Sequence, residues 1–181
     1  REAYLSPTDI ANDKIRTSPA PTDTYFLQQS GAAAVPLSVP DTMPALQTGT
    51  VDGITTPLIM GVAGGYFAEA PEITMTNHSY QIGALLISAS SWESLTESQQ
   101  AALREGVRAM DGLRAQVRGA EQVLLQRAVD AGAHVHTLTP EGEAEWREVG
   151  TASMAAILDS IGGDSTAVWA RLQEARTACM H

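Results

Sequence analysis

Residues 31–57, GAAAVPLSVPDTMPALQTGTVDGITTP, carry the clearest structural pattern in the chain. Short apolar runs rich in β-branched residues alternate here with a helical pattern, and Gly and Pro separate them. We expect a strand over residues 34–39, a helix that Asp41 caps and Gly49 ends, and another strand over residues 51–55. Strands that alternate with helices in this way predict an α/β structure built on a parallel sheet.

The same alternation extends outward from this segment. On the N-terminal side, the sequence SPTD at residues 6–9 predicts the start of a helix, because Ser is a favoured N-cap and Pro suits the first helical position. A strand over residues 14–17 and a helix over residues 22–29 follow it. On the C-terminal side we expect a helix over residues 57–67 and a strand over residues 73–80.

The second half of the chain predicts longer elements. Residues 83–90 are almost all apolar, which is typical of a strand buried on both faces. A capping-box pattern at Thr96 and Gln99 predicts a helix whose apolar stripe continues to Gly132. Such a helix would be about 50 Å long, more than one small domain covers. Three internal glycines indicate close packing, a kink or helix breaks, namely Gly106, Gly112 and Gly119.

The last part of the chain predicts a short strand over residues 133–138 and two helices. The first helix begins at the Thr139-Pro140 dipeptide and ends at Gly162, and the second runs to about residue 177. The tryptophans of the second half are expected to be packing anchors: Trp92, Trp146 and Trp169.

Composition excludes several classes of protein. The chain has 181 residues, of which 44% are hydrophobic and 18% charged, so a disordered chain is excluded. No apolar run approaches the roughly 20 residues of a membrane span. Eleven basic against 21 acidic residues give a net charge of −10 and no basic face for nucleic acid. A single cysteine, Cys179, excludes a disulfide framework and a cysteine metal cluster.

Three segments in fixed order carry a family resemblance: KIRTSPAP at residues 14–21, the segment 31–57 and TMTNHSY at residues 74–80. Together they resemble the solute-binding proteins of tripartite ATP-independent periplasmic (TRAP) transporters, the DctP family. The run ALQTGTVDG at residues 45–53 is the most specific part. The resemblance extends over about residues 6–170 and corresponds to the later part of a family protein.

The resemblance implies a periplasmic-binding-protein-like fold, in which two α/β lobes close over a ligand. It implies that residues 1–81 and 122–181 form the second lobe. Residues 82–121 would then supply a crossover strand and the long helix to the first lobe, most of which has no counterpart here. Because the chain opens at Arg1 without a readable leader, we expect a fragment or one piece of a processed receptor.

The resemblance also implies a ligand site. Arg16 matches the family's arginine that grips the ligand carboxylate, a task that suits the planar guanidinium. Thr56 stands where many members have Asn, and Val39 where many have Phe, which implies a roomier pocket. His78 and Tyr80 alternate on one face of a strand near the lobe junction. We expect these five residues to bind the ligand.

Another pair of residues consists of candidate metal ligands. His134 and His136 form an HxH pattern on a predicted strand, so both rings face the same way. Zinc needs three or four ligands, and the sequence supplies no clear third one nearby. We therefore expect no metal, and no motif indicates a cofactor.

These observations favour a periplasmic receptor that binds a small organic acid and delivers it to membrane permease subunits, without bond chemistry. One alternative is a ligand sensor for a signalling partner. A small α/β enzyme with His78 as acid or base is another, although no nucleophile motif supports it. A structural or interaction module is the third.

Overall fold

The first half of the chain alternates strands with helices around a parallel sheet. The computed structural model describes residues 2–79 and 85–179. Its first elements are β1 (Lys14–Thr17), α1 (Pro21–Gln29), β2 (Ala33–Pro36), α2 (Val39–Gln47) and β3 (Gly53–Ile54). The predicted alternation of residues 31–57 is therefore confirmed, with shorter strands than expected.

Strand β1 is the centre of a three-stranded sheet in the order β2-β1-β3. Both pairings are parallel, with Ile15 opposite Ala34 on one side and Gly53 on the other. Ile15 is fully buried in the main apolar core, where α1 packs against a later helix, α8 (Pro140–Ile161). This core consists of Ile10, Ile15, Phe26, Leu27, Ala32, Trp146 and Val149.

A second, smaller sheet follows. Helix α3 (Leu58–Gly64) and a 3-10 turn (Tyr66–Ala68) lead into β4 (Glu72–Thr74), which pairs in parallel with the distant β5 (His134–His136). A separate apolar cluster under this sheet contains Phe67, Ala128 and Ala133. The strand predicted to reach residue 80 ends at Thr74, because the following residues turn away and Asn77 adopts a positive φ of 48°.

The predicted buried strand over residues 83–90 is wrong over its described part. Residues 85–88 have no regular structure, and Leu85 and Leu86 are 74% and 88% exposed. Because no described strand pairs with this run, its apolar side chains have no sheet to join. The chain then forms the short helix α4 (Ala89–Glu93).

The long predicted helix is divided into segments. Helix α5 (Glu97–Arg108) begins with the predicted capping box, since the Thr96 amide donates to Gln99 Oε1 over 2.9 Å and the Gln99 amide to Thr96 Oγ1 over 3.3 Å. A 3-10 turn ends at Gly112, α6 (Leu113–Gly119) ends at Gly119, and α7 (Glu121–Asp130) follows. The expectation of one continuous helix of about 50 Å is therefore wrong, and segments end at two of the three glycines, for which close packing, a kink and a break were the alternatives.

The remaining helices lie where the sequence predicts them. Thr139 caps α8, and α9 (Ser165–Cys179) follows after Gly162 and Gly163. Trp146 is a core anchor as predicted, whereas Trp92 is only half-buried, and the Arg104 guanidinium lies 4.7 Å from the centroid of its ring. No described helix is both long and apolar enough to cross the hydrocarbon layer of a membrane.

Two local predictions are wrong. Residues 6–9 form turns in place of a helix, because Asp9 accepts from the Ser6 amide and closes the segment on itself. Asp41 is not the cap of α2, which begins two residues earlier with Ser38 at the N-cap position. Asp41 instead accepts a hydrogen bond from the Ser38 hydroxyl over 2.5 Å.

Candidate functional site

The carboxyl ends of β1, β2 and β3 meet at one edge of the sheet. Parallel α/β sheets bind ligands at this edge, because the loops that leave the strands diverge there. The edge carries Arg16 near the end of β1, Leu37 after β2 and Thr56 after β3. The backbone holds these loops together, since the Leu37 amide donates to the Thr17 carbonyl and the Thr55 amide to the Arg16 carbonyl.

At this edge the side chain of Arg16 is hydrogen-bonded to the main chain of the same protein. Its side chain is buried, at 6% exposure, and its Nε and Nη2 atoms both donate to the Leu37 carbonyl oxygen over 3.1 and 2.7 Å. Two bonds from one guanidinium to one acceptor fix the plane of the group. The Leu37 carbonyl therefore orients Arg16, a contact that sequence reasoning missed because a main-chain acceptor has no residue-type signature.

Two more predicted site residues flank Arg16. Thr56 is half-buried and its hydroxyl lies 3.5 Å from the Pro57 carbonyl, so it keeps hydrogen-bonding capacity. Val39 is the first residue of α2 and is half exposed. Both residues stand at the expected edge of the sheet.

His78 belongs to an aromatic stack. Its ring lies on Phe26 with 4.4 Å between ring centroids and 9° between planes, and Phe26 stacks on Trp146. Although His78 keeps exposed surface, the covered ring face loses water, and this desolvation lowers the pKa of His78 against the opposing effect of Asp23. Tyr80, the remaining predicted ligand residue, lies outside the described residues.

A cavity of about 300 Å³ is lined by residues of both sheets. Thr56 and His78 line it, together with the buried Trp146. The described lining residues do not include Arg16 or Val39. The structure therefore divides the predicted site residues between this cavity and the Arg16 side of the sheet.

A carboxylate clamped by two histidines lies beside the cavity. Glu72 Oε1 accepts from His134 Nδ1 over 2.7 Å, and its Oε2 accepts from His136 Nε2 over 2.5 Å. These bonds, from His134 first and His136 next, hold the pKa of Glu72 below its usual range. The HxH pattern thus places both rings on one face, as predicted.

The clamp does not have the geometry of a metal site. A metal ion needs ligand atoms that converge on one point, whereas the two histidine nitrogens bind different oxygens of Glu72. In the part of the chain that the structure describes, no group of three or more His, Cys, Asp or Glu residues is placed to hold a metal ion. The sequence could not reveal Glu72 as the partner, since it lies 62 residues from His134.

Comparison with known proteins extends the likeness to most of the chain. The family model of DctP, described as bacterial extracellular solute-binding protein, family 7, matches residues 1–160. The ectoine-binding periplasmic protein TeaA of Halomonas elongata is 32% identical over 99 residues, covering 55% of this chain and 29% of TeaA. The C4-dicarboxylate-binding periplasmic protein DctP of Rhodobacter capsulatus is 25% identical over 163 residues, covering 89% of this chain and 49% of DctP.

Solved structures of TRAP solute-binding proteins are similar to this chain over most of its length. The crystal structure of TeaA from Halomonas elongata has a TM-score of 0.85 and 25% identity, over 91% of this chain and 55% of that one. A TRAP solute-binding protein from Bradyrhizobium, in complex with galacturonate, has a TM-score of 0.85 at 21% identity, over 96% of this chain and 57% of that one. The chain therefore has a partial two-lobe α/β fold and spans about half the length of the relatives it matches, or less. By the match of its residues 1–160, the chain belongs to family 7 of the bacterial extracellular solute-binding proteins.

Proposed function

We propose that the chain is part of a periplasmic TRAP-type receptor that binds a small organic acid without bond chemistry and delivers it to membrane permease subunits. The match of the family model to residues 1–160 carries this proposal. Relatives support the ligand class: DctP of Rhodobacter capsulatus binds C4-dicarboxylates, SiaP of Vibrio cholerae binds sialic acid, and solved structures of other TRAP solute-binding proteins hold galacturonate or glucuronate.

Arg16 is the proposed anchor of the acid. A guanidinium has five N–H donors, and the Leu37 carbonyl accepts from two of its nitrogens. The remaining donors of the oriented group can form charge-assisted bonds with a carboxylate. Thr56 offers a hydroxyl after the neighbouring strand, and Val39 an apolar surface at the start of α2. We include His78 and Tyr80 in the proposed site on the family resemblance.

The cavity itself is a poor site for an anion. Its described lining contains no Arg or Lys, and the carboxylates of that lining are Glu2, Asp52, Glu69 and Glu72. Glu72 also keeps its charge because its pKa is lowered. Coulomb repulsion inside a partly closed cavity disfavours an organic acid there. We therefore propose that the carboxylate of the acid binds on the Arg16 side of the sheet, while Thr56 and His78, which line the cavity, contact the rest of the ligand.

The apolar surface of residues 85–121 supports the proposed division into lobes. Large apolar side chains of this region face solvent, and an uncovered patch of this kind marks a contact surface. The exposed residues are Leu85, Leu86, Ile87, Leu103, Val107, Met110, Leu113 and Val117. We propose that residues 82–121 belong to the first lobe and that the rest of that lobe covers them, while residues 1–81 and 122–181 form the second lobe.

A binding experiment tests the proposal. We would measure the melting temperature of this chain, and of a chimera that adds the N-terminal part of TeaA that this chain does not match. The panel contains galacturonate, succinate, sialic acid and ectoine, with galactose as the uncharged control. We expect the chimera to melt several degrees higher with at least one acid and unchanged with galactose.

Variants at Arg16 test the anchor. Arg16→Lys keeps the charge but loses the planar fork, so we expect acid affinity to fall at least tenfold. Arg147→Lys, on the exposed face of α8, is the matched control and leaves affinity unchanged. If the Arg16→Lys chimera binds the acid as tightly as the Arg147→Lys control does, the proposed role of Arg16 is wrong. If the chimera unfolds cooperatively but no acid of the panel raises its melting temperature, the receptor proposal itself is wrong.

A further inference from the structure

Arg16 carries a buried positive charge that no carboxylate in the described ranges balances. Its guanidinium donates to the Leu37 carbonyl, which is uncharged. The ion pairs among the described residues instead join Arg108 to Glu105 and Glu72 to two histidines. A buried cation without a counter-ion is costly, so an anion from outside the chain would stabilise it. One cation of this kind suits one carboxylate.

The side chains beside Arg16 are apolar. In the register of the sheet, Arg16 lies opposite Val35 of β2 and Ile54 of β3. Residues in register on neighbouring strands have their side chains on the same face, so the Arg16 side chain leaves the sheet between two branched apolar ones. Both neighbours are only half-buried, and Val39 is half exposed where α2 begins. A ligand at Arg16 therefore meets apolar surface around a single charge.

Hydrogen-bond donors are scarce in the loops at the same edge. The Ser18 hydroxyl donates its proton to Asp23 over 2.7 Å. The Ser38 hydroxyl donates to Asp41 over 2.5 Å in the same way. Thr56, whose contact measures 3.5 Å, keeps capacity for one polar group of a ligand. A sugar acid has a hydroxyl on nearly every carbon, and most of these would lose water without gaining an equivalent partner here.

A second carboxylate would find no cation in this part of the chain. Residues 17–77 contain no Lys, Arg or His but five acidic residues. His78 follows this run, and desolvation of its ring lowers its pKa, so the ring is neutral at pH 7. The acidic residues repel a second negative group. The charges therefore favour a ligand that has its one carboxylate at Arg16 and no other charge.

We propose that the ligand is a monocarboxylate with an uncharged, mainly apolar body, such as an aliphatic or branched-chain acid. The inference rests on the proposed function and narrows its ligand to one class of acid. The carboxylate would pair with Arg16, the body would lie on Val35, Val39 and Ile54, and Thr56 would bind one polar group. Dicarboxylates and sugar acids would bind more weakly.

Three acids of equal chain length separate these features. Hexanoate has one carboxylate and an apolar body, adipate has a carboxylate at each end, and gluconate has a hydroxyl on each remaining carbon. We would titrate this chain and the TeaA chimera with each acid and follow the NMR signal of the Arg16 Nε–H group. We expect hexanoate to bind at least tenfold more tightly than adipate and gluconate. Hexanol, which lacks the carboxylate, should leave the signal unchanged. Adipate or gluconate that binds as tightly as hexanoate overturns the inference.

A variant at Val39 tests the apolar contact without changing the anchor. Val39→Ser removes apolar surface at a half-exposed position. We expect it to weaken hexanoate binding at least threefold and to leave acetate binding unchanged, because acetate has no body that reaches Val39. Val168→Ser, at a similarly exposed position of α9, is the matched control and should leave both affinities unchanged. If Val39→Ser weakens neither acid, or both equally, the body does not lie on this surface and the inference is wrong.

The two proposals fail in different ways. If galacturonate or succinate binds at Arg16 as tightly as hexanoate, the receptor function stands and the apolar ligand class is overturned. If no acid shifts the Arg16 signal in a folded chimera, the proposed function is wrong and the inference fails with it.

Discussion

The stability contributed by the stacking of His78 on Phe26 depends on pH. The His78 ring covers Phe26 at 4.4 Å, and desolvation of the stacked ring lowers its pKa below the ordinary value of about 6.5. The folded chain thus binds fewer protons at this position than the unfolded chain. Stability contributed by neutral His78 is fully present above about pH 6.5 and decreases as the pH falls toward the lower pKa of the folded state.

We therefore expect His78→Phe to keep the stack while removing its pH dependence. Between pH 7.5 and 5.5 the wild-type melting temperature should fall more than that of the variant, because only the wild type must protonate a covered ring. Melting curves by circular dichroism at half-unit pH steps measure this. His181→Phe, near the chain end, is the control. A variant whose melting temperature falls as much as that of the wild type would falsify this account of His78.

Arg16 and its partner show what single residues can reveal. The sequence predicts that Arg16 lies in a short strand, and the structure places it in β1. Its acceptor is the main-chain oxygen of Leu37, which any residue could supply, so no pattern pointed to it. Trp146 was expected to be a packing anchor, but its unsatisfied nitrogen became visible only in three dimensions.

At the scale of the element, β4 and β5 are tied together by Glu72. We expect Glu72→Gln to weaken this sheet at neutral pH, because the amide keeps only one acceptor and loses the charge that both imidazoles bind. The pKa of Glu72 is lowered, so its stabilising effect exists above its usual pKa of about 4.5 and is lost as the pH falls through the lower value of the folded state.

Acid titration of the melting temperature measures this effect. Below pH 4.5 the curve of Glu72→Gln should be flatter than that of the wild type, and the two should converge. Glu174→Gln, on the exposed surface of α9, is the matched control and should follow the wild type. Curves for wild type and Glu72→Gln that remain parallel throughout the acid range contradict the clamp.

Two glycines of α8 make an informative pair. A Cβ added at Gly142 would lie 2.8 Å from the Leu5 carbonyl oxygen, while a Cβ at Gly150 meets nothing within 4 Å. We expect Gly142→Ala to lower the free energy of unfolding, since the backbone at Leu5 must move. Gly150→Ala should raise it by about 0.5–1 kcal/mol, the usual gain from Ala in a helix interior.

Urea unfolding of both variants measures these differences. If Gly142→Ala is as stable as Gly150→Ala, the Leu5 carbonyl does not lie against α8 at Gly142.

Elements were predictable where local patterns determine them. Pro, Gly and capping residues fixed the positions of most helices, and the short parallel strands of residues 31–57 followed from the alternation. The buried strand predicted at 83–90 is wrong over the described residues 85–90, because composition predicts a tendency to be buried, while burial itself requires a partner surface. No described part of the chain covers Leu85 or Leu86.

At the scale of the whole molecule, the exposed apolar surface of residues 85–121 predicts association. We expect the isolated chain to form dimers or larger species as its concentration rises, because this surface gains free energy when it is covered. Val107→Lys should reduce the association without lowering the melting temperature, since Val107 is exposed on α5. Sedimentation velocity at several concentrations measures it, with Ala101→Lys as the control on the same helix. A strictly monomeric wild type contradicts the expectation.

The architecture of the molecule was predictable from family likeness more than from physics. The motifs at residues 14–21 and 45–53 implied the two-lobe fold, and the solved structures agree over most of the chain. The division between the two sheets was not predictable, because strand neighbours far apart in sequence leave no local signal.

The register of β4 against β5 also affects how quickly the chain can fold. Glu72 pairs with His134, so the small sheet forms only after a loop of about 60 residues closes. Contacts of such high sequence separation slow folding, since the entropy of loop closure is lost before the pairing compensates it. We expect β1 and β2, which are joined by a short connection, to assemble first. The newly made chain would thus remain incompletely folded for longer than a helical protein of equal size.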